Sequence, residues 1–246
     1  MPLRPGDRGP PVTAAQKRLN QTFAGAKSLS ENGVYDDPTR QRVAAFQKAS
    51  SLASSGVIDD ITNAVLFGED FEFELFRPRP VMQDSNQYLC WASALESWIE
   101  VQIKQVMRSS EELIALMRKG TGYLGERDGL TARGWGHAVQ LLGLGFASFG
   151  ARRGTTPLDQ LTISFLYQKM KQKGHLVIAY NITPSLAHTV VGYGVTLWFN
   201  PYDPDDRGTR WVNVMDPWNG GGKGGLRVKD IAAMKANDYV LVMWSR

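Results

Sequence analysis

Three residues of this 246-residue chain have the types and order needed for nucleophilic chemistry: Cys90, His188 and Asp216. Cys90 is the only cysteine, and it opens the run Cys-Trp-Ala-Ser-Ala-Leu-Glu-Ser-Trp-Ile. The residues after it, 91–104, read as an amphipathic helix with apolar Ala94, Leu95, Trp98, Ile99 and Val101. A cysteine at a helix start faces unpaired N–H groups and the positive end of the dipole. Both favour the thiolate, which is the nucleophilic form. A free cysteine is also commonly a small buried hydrophobe, so the chemical reading needs a base. His188 supplies one at the head of a β-branched, glycine-containing strand, 187–195. Asp216 ends another strand, 211–216, which Pro217 stops from pairing further. A base must share the thiol proton, and an acidic or amide group must orient the imidazole. The other two histidines compete less well. His137 falls on a helix over 134–142 and His175 at a turn before a strand, where a structural or surface role is expected.

A helix start and two strands must therefore meet. Cys90-Trp91-Ala92, then His188-Thr-Val-Val-Gly-Tyr-Gly, then Asp216-Pro-Trp resembles the papain-like cysteine peptidases, in particular their compact bacterial branch of effector and bacteriocin-processing enzymes. The resemblance covers about residues 77–246 and departs in places. Asn86-Gln87-Tyr88-Leu89 stand where the family carries Gly and Cys before the nucleophile. The interval from Cys90 to His188 is also shorter than the usual interval of about 130–150 residues. The resemblance implies an α+β papain-like fold, a helical lobe with an antiparallel sheet, and no cofactor. It implies Cys90 as nucleophile, His188 as base and Asp216 as the orienting acid. An oxyanion-hole glutamine is implied as well. Gln83 is favoured and Gln87 is its rival, because acyl transfer needs a donor there. Trp91 and Trp218, beside the nucleophile and the acid, are candidate substrate contacts.

The first 68 residues follow a different pattern. Val12, Ala15, Leu19 and Phe23 mark one helix face, Val43, Phe46, Ala49 and Leu52 a second, and 62–67 a third short helix. Asn32-Gly33 is a turn signal, and Pro38-Thr39 starts a helix where the missing proline N–H costs little. Leu3, Gly6, Gly9, Val12, Leu19, Gly33, Tyr35, Thr39, Val43, Phe46, Gln47, Leu52 and Gly56 resemble the pattern of the peptidoglycan-binding domain of bacterial wall enzymes. That resemblance implies a small three-helix domain with peptidoglycan as its partner, although related modules also serve as spacers or protein binders.

The expected organisation is a peptidoglycan-binding-like domain at 1–68, a proline-stiffened linker at 69–80 and a papain-like domain at 81–246. Phe71, Phe73, Leu75 and Val81 are placed to pack the linker as a strand. Formal net charge is +4, too small and scattered for nucleic-acid binding and favourable to anionic wall polymers. No run of about 20 apolar residues exists, so no membrane span is expected. The amino-terminal stretch lacks a signal-peptide core. Zinc-ligand spacing, a P-loop and a dinucleotide glycine motif are all missing. The expectation is a secreted antibacterial cysteine peptidase, exported without a classical signal or delivered into a target cell, that cleaves peptide or protein and is matched by an inhibitor in its producer. The alternatives are a peptidoglycan peptide hydrolase and a catalytically inactive wall-binding protein.

Overall fold

The computed structural model describes residues 2–22, 27–83, 88–102, 108–151, 153–183, 186–200, 202, 208–218 and 224–246. It combines helices with an antiparallel sheet and divides into two compact units.

The first unit comprises Met1–Glu72 with Thr162–Phe165 and Thr196–Arg210. Its helices are α1 (Pro10–Thr22), α2 (Asp37–Ala49) and α3 (Asp60–Phe67). Asp36 caps α2 by accepting the Thr39 N–H, and Asp59 caps α3 by accepting the Thr62 N–H. Such caps satisfy donors that a helix start leaves orphaned. Val12, Leu19, Tyr35, Val43, Phe46, Ile58 and Leu66 form the core. Two buried glutamines tie this unit together in the same way. Gln16 donates to Val34 O at 2.9 Å and Thr39 Oγ1 at 3.0 Å, and its Oε1 accepts the Gly33 N–H at 3.0 Å. Gln47 donates to Val57 O at 2.8 Å and Thr62 Oγ1 at 3.0 Å, and its Oε1 accepts the Gly56 N–H at 2.8 Å. The partners come from an internal repeat: Gly33-Val-Tyr-Asp-Asp-Pro-Thr39 and Gly56-Val-Ile-Asp-Asp-Ile-Thr62. Both glycines are left-handed, with φ of 69° and 68°, a conformation that a β-carbon penalises. The two halves share no local signal, because Asn32-Gly33 marks a turn and Pro38-Thr39 a helix start only in the first.

The second unit holds Phe73–Leu161, Leu166–Val195 and Trp211–Arg246. Its helices include α4 (Cys90–Val101), α5 (Ser110–Arg118) and α6 (Ala132–Leu141), then all but the first turn of α7 (Ile163–Lys173), and α8 (Ile231–Lys235). Ser109 and Glu112 form a capping box on α5, as the Ser-Ser-Glu-Glu sequence suggests. The strands are β1 (Phe71–Glu74), β2 (Leu144–Gly150), β3 (Leu176–Thr183), β4 (Leu186–Trp198), β5 (Thr209–Asp216), β6 (Gly225–Asp230) and β7 (Tyr239–Ser245). Their order is β2-β7-β3-β4-β5-β6, with β1 pairing β4. Part of the expected linker is thus a strand.

Helix α4 is the keystone. Residues on nearly every side of it are buried, as expected of a helix with little polar face. Trp91, Leu95, Trp98 and Ile99 pack with Val177, Ala179, Val191 and Met215 of the sheet. Its indoles remain satisfied, since Trp98 Nε1 donates to His175 O at 2.9 Å. Fully burying side chains of this size contributes about 1.5–3 kcal/mol each, which fixes where the first residue of α4 sits.

Candidate functional site

Cys90 is the first residue of α4. No side chain caps this helix start, and the carbonyl of Leu89 takes the N–H groups of Ala92 at 3.0 Å and Ser93 at 3.1 Å. A neighbouring loop holds the approach to the cysteine: Tyr88 N donates to Arg127 O at 3.0 Å, and Trp91 Nε1 donates to Asp128 O at 2.9 Å. Arg127 and Asp128 both have positive φ, 49° and 61°, a conformation that costs non-glycine residues free energy. The backbone bends there and aims two successive carbonyls at the Cys90 segment.

His188 lies on β4 directly opposite Tyr180 of β3. Asp216 is the last residue of β5. His188 Nε2 stands 2.7 Å from Asp216 Oδ1, and Cys90 lies close enough to His188 to favour its charged form. The structure therefore brings together the three residues that the sequence singled out. All are buried, with Asp216 only 1% exposed and Cys90 7%.

Asp216 receives more than the histidine. Its Oδ1 also accepts the Trp218 N–H at 3.0 Å, and its Oδ2 faces Lys229 Nζ at 2.8 Å and Arg227 Nη1 at 3.5 Å. Burial alone would raise the carboxyl's pKa. The hydrogen bonds from His188, Lys229 and the Trp218 backbone outweigh it and hold Asp216 well below the usual carboxylate range. Burial alone would lower His188, yet hydrogen bonds to Asp216 and Cys90, with their negative charge, push the imidazole up to about 9. Tyr180 is driven upward by burial and then by the charges of Asp216 and Cys90. The rings of Tyr180 and Trp218 both meet the His188 ring edge to face, at centroid distances of 5.8 and 5.9 Å. They block rotation of the imidazole from two sides. Among the described residues no group of three His, Cys, Asp or Glu side chains is placed to hold a metal.

Gln83 is buried, and its backbone N–H bonds Pro217 O at 2.9 Å, one residue beyond Asp216. Gln87 lies outside the described residues. The expected substrate role of Trp91 needs correction. Its side chain is 1% exposed, sits in the helical core and spends its only donor on Asp128 O. The helical periodicity that begins at Cys90 turns the next residue inward. Trp218 is 37% exposed beside His188, so it can touch a bound molecule. His137 stacks on Tyr123 at 4.4 Å, and His175 Nε2 is 2.6 Å from Phe76 O, so neither is the partner of Cys90. Lys229, Arg227 and Tyr180 were not found from sequence. The only signal for the two cations was charge at alternate positions of Leu226-Arg-Val-Lys-Asp230, which reads as an ordinary solvated strand face.

Comparison with known proteins assigns the first unit. Residues 8–66 match the family model described as a peptidoglycan binding domain. The N-terminal helices form a domain of this type. Among solved structures, the Burkholderia AP3 phage endolysin is 25% identical, over 51% of this chain and 42% of that chain, with a TM-score of 0.25. The chain thus spans less than half the length of that endolysin. A search of curated proteins returned no match.

Proposed function

We propose that this protein is a papain-like cysteine hydrolase of amide bonds, directed to bacterial peptidoglycan by its N-terminal domain. The observation that carries the reading is the buried His188–Asp216 pair, 2.7 Å apart, with Cys90 at the start of α4 close enough to act on the imidazole's ionisation. With Nε2 engaged by Asp216, Nδ1 is the histidine nitrogen left for the thiol. With the thiol proton held on His188, whose raised pKa favours the protonated ring, Cys90 Sγ attacks the substrate carbonyl carbon. The oxyanion is held by the Cys90 backbone N–H, which the helix start leaves without a side-chain cap, and by Gln83, whose backbone bonds Pro217 just past β5. His188 returns the proton to the leaving amine, giving a thioester. A water activated by the same imidazole then hydrolyses the thioester and frees Cys90. Asp216 keeps the imidazole in the required tautomer throughout, and Trp218, exposed beside His188, is placed to touch the substrate. No cofactor takes part.

The peptidoglycan-binding-type domain favours a wall peptide as substrate, because it would raise the local concentration of wall amides around the site. The test is incubation of the full chain, wild type or Cys90→Ala, with purified sacculi, followed by mass spectrometry of soluble fragments. Wild type alone should release peptides or muropeptides bearing new amino and carboxyl ends. Wild type that binds sacculi but frees nothing at high enzyme would rule out wall cleavage. Mapping of new protein N-termini after expression of the two forms would then test the effector reading. In that reading the same site cuts protein, and the producer needs an inhibitor.

A further inference from the structure

We propose that Lys229, seconded by Arg227, is a positioning residue for the amide-cleaving site: it fixes the far oxygen of Asp216 so that the near oxygen stays aimed at His188, and it offsets the carboxylate's charge so that His188 can release its proton. The inference rests on the Cys90–His188–Asp216 reading above.

Sheet register supports it first. Val212 pairs with Lys229, Val214 with Arg227 and Asp216 with Gly225. Directly paired residues share a sheet face and alternate residues share it too. Val212, Val214, Asp216, Arg227 and Lys229 therefore lie on one face. The lysine stem runs back along this face to bring Nζ to 2.8 Å from Oδ2, while Arg227 stands at 3.5 Å from the same oxygen. Oδ1 is left to His188 and the Trp218 N–H. Each oxygen thus has its own partners, and the carboxylate cannot rotate without breaking both sets.

Charge supports it second. The groups facing His188 and Asp216 are Cys90 from α4, Tyr180 from β3, and Arg227 and Lys229 from β6. Asp216 is essentially sealed, whereas the Lys229 side chain keeps 27% of its surface. The ammonium holds part of its hydration while neutralising a buried anion. Without it, the main compensation left for Asp216 would be protonated His188, with Arg227 at a longer distance. Such a histidine keeps its proton, yet the proposed reaction needs it neutral when water attacks the thioester.

An ion pair that only braces β6 would make the same contacts, so the test must read titration. Cys90 is the sole cysteine, and its alkylation by iodoacetamide, followed by intact mass, reports the site with no known substrate. Rates from pH 4 to 10 should be measured for wild type, Lys229→Met and Lys229→Arg, alongside NMR titration of the His188 ring. Loss of the lysine charge should raise the histidine midpoint by about one pH unit, a tenfold change in proton affinity. Lys229→Arg should restore most of it. Should Lys229→Met fail to fold, Lys229→Gln gives the same comparison with a neutral donor. Superimposable profiles for wild type and the neutral variant, both reactive, would overturn the role of Lys229 and leave the trio standing. A wild-type Cys90 whose alkylation rate is unchanged by His188→Gln at every pH would overturn the trio itself and this inference with it.

Discussion

The glutamine knots of the first unit and the Cys90–His188–Asp216 line of the second are both buried polar networks, built on opposite electrostatic terms. Each knot is neutral. Gln16 and Gln47 match a left-handed glycine N–H, a valine carbonyl and a threonine hydroxyl, and the same pattern occurs twice. Nothing in either knot is left to react. The trio concentrates charge on a carboxylate that has lost nearly all its water, compensates it with His188, Lys229 and Arg227, and sets a polarisable sulfur at the end of the line. Burial penalises an unpaired charge far more than an unpaired amide. The neutral networks therefore suit a scaffold, and the charged one is the kind that persists where it serves chemistry.

The largest contrast should come from Cys90→Ala. It removes a single sulfur atom at the edge of the apolar cluster, so the melting temperature should move little. Cleavage should fall by about 10³-fold or more, as when the nucleophile of a triad is removed. A parallel thermal scan and sacculus digest will tell. Gln47→Ala should do the reverse. It strands the Gly56 N–H and removes the Val57 and Thr62 contacts, and an unsatisfied buried group costs about 1–3 kcal/mol. Urea unfolding of the full chain should lose that stability, while alkylation of Cys90 keeps its wild-type pH profile. A changed profile would mean that the two networks are not independent.

pH sharpens the contrast. The His188 value of about 9 lies above its ordinary 6.5. Its stabilising contribution is therefore whole below about pH 6.5 and is lost as pH rises through about 9. Asp216 is depressed; its contribution is present above the ordinary carboxyl value and is lost as pH falls through the lowered one. Stability measured by urea at stepped pH should decline on both flanks, and His188→Gln should flatten the alkaline flank. The knots contain no group that titrates in this range. The smallest effect belongs to the helix caps. Asp36→Ala and Asp59→Ala occupy equivalent places in the repeat, and each should cost about 1 kcal/mol. Asp36 also accepts the Thr39 hydroxyl at 2.6 Å, so its replacement should cost somewhat more.

Much of the first unit was legible in the sequence. Its turn, its Pro38-Thr39 helix start and its helix faces arise from residues close together along the chain. The glutamine knots were less so, since Gln16 stands far from Gly33 and only the fold reveals a shared partner set. In the second unit, the order of cysteine, histidine and acid pointed to the trio. The same reading took Trp91 for a cleft residue, because adjacency along a helix does not mean a shared face. Lys229 was invisible for a related reason. Its role depends on which residue of β5 stands across from it, and pairing register is not written in a single strand.

From the sequence alone came what local physics controls: the helix starts, the Asn32-Gly33 turn, the strand stop at Pro217 and the one cysteine proposed as nucleophile. Only the tertiary structure decided which side chains share a face of the sheet, which indole is sealed and which cations lean on Asp216. Those are consequences of strand register and helix rotation, set by burial summed over the whole core.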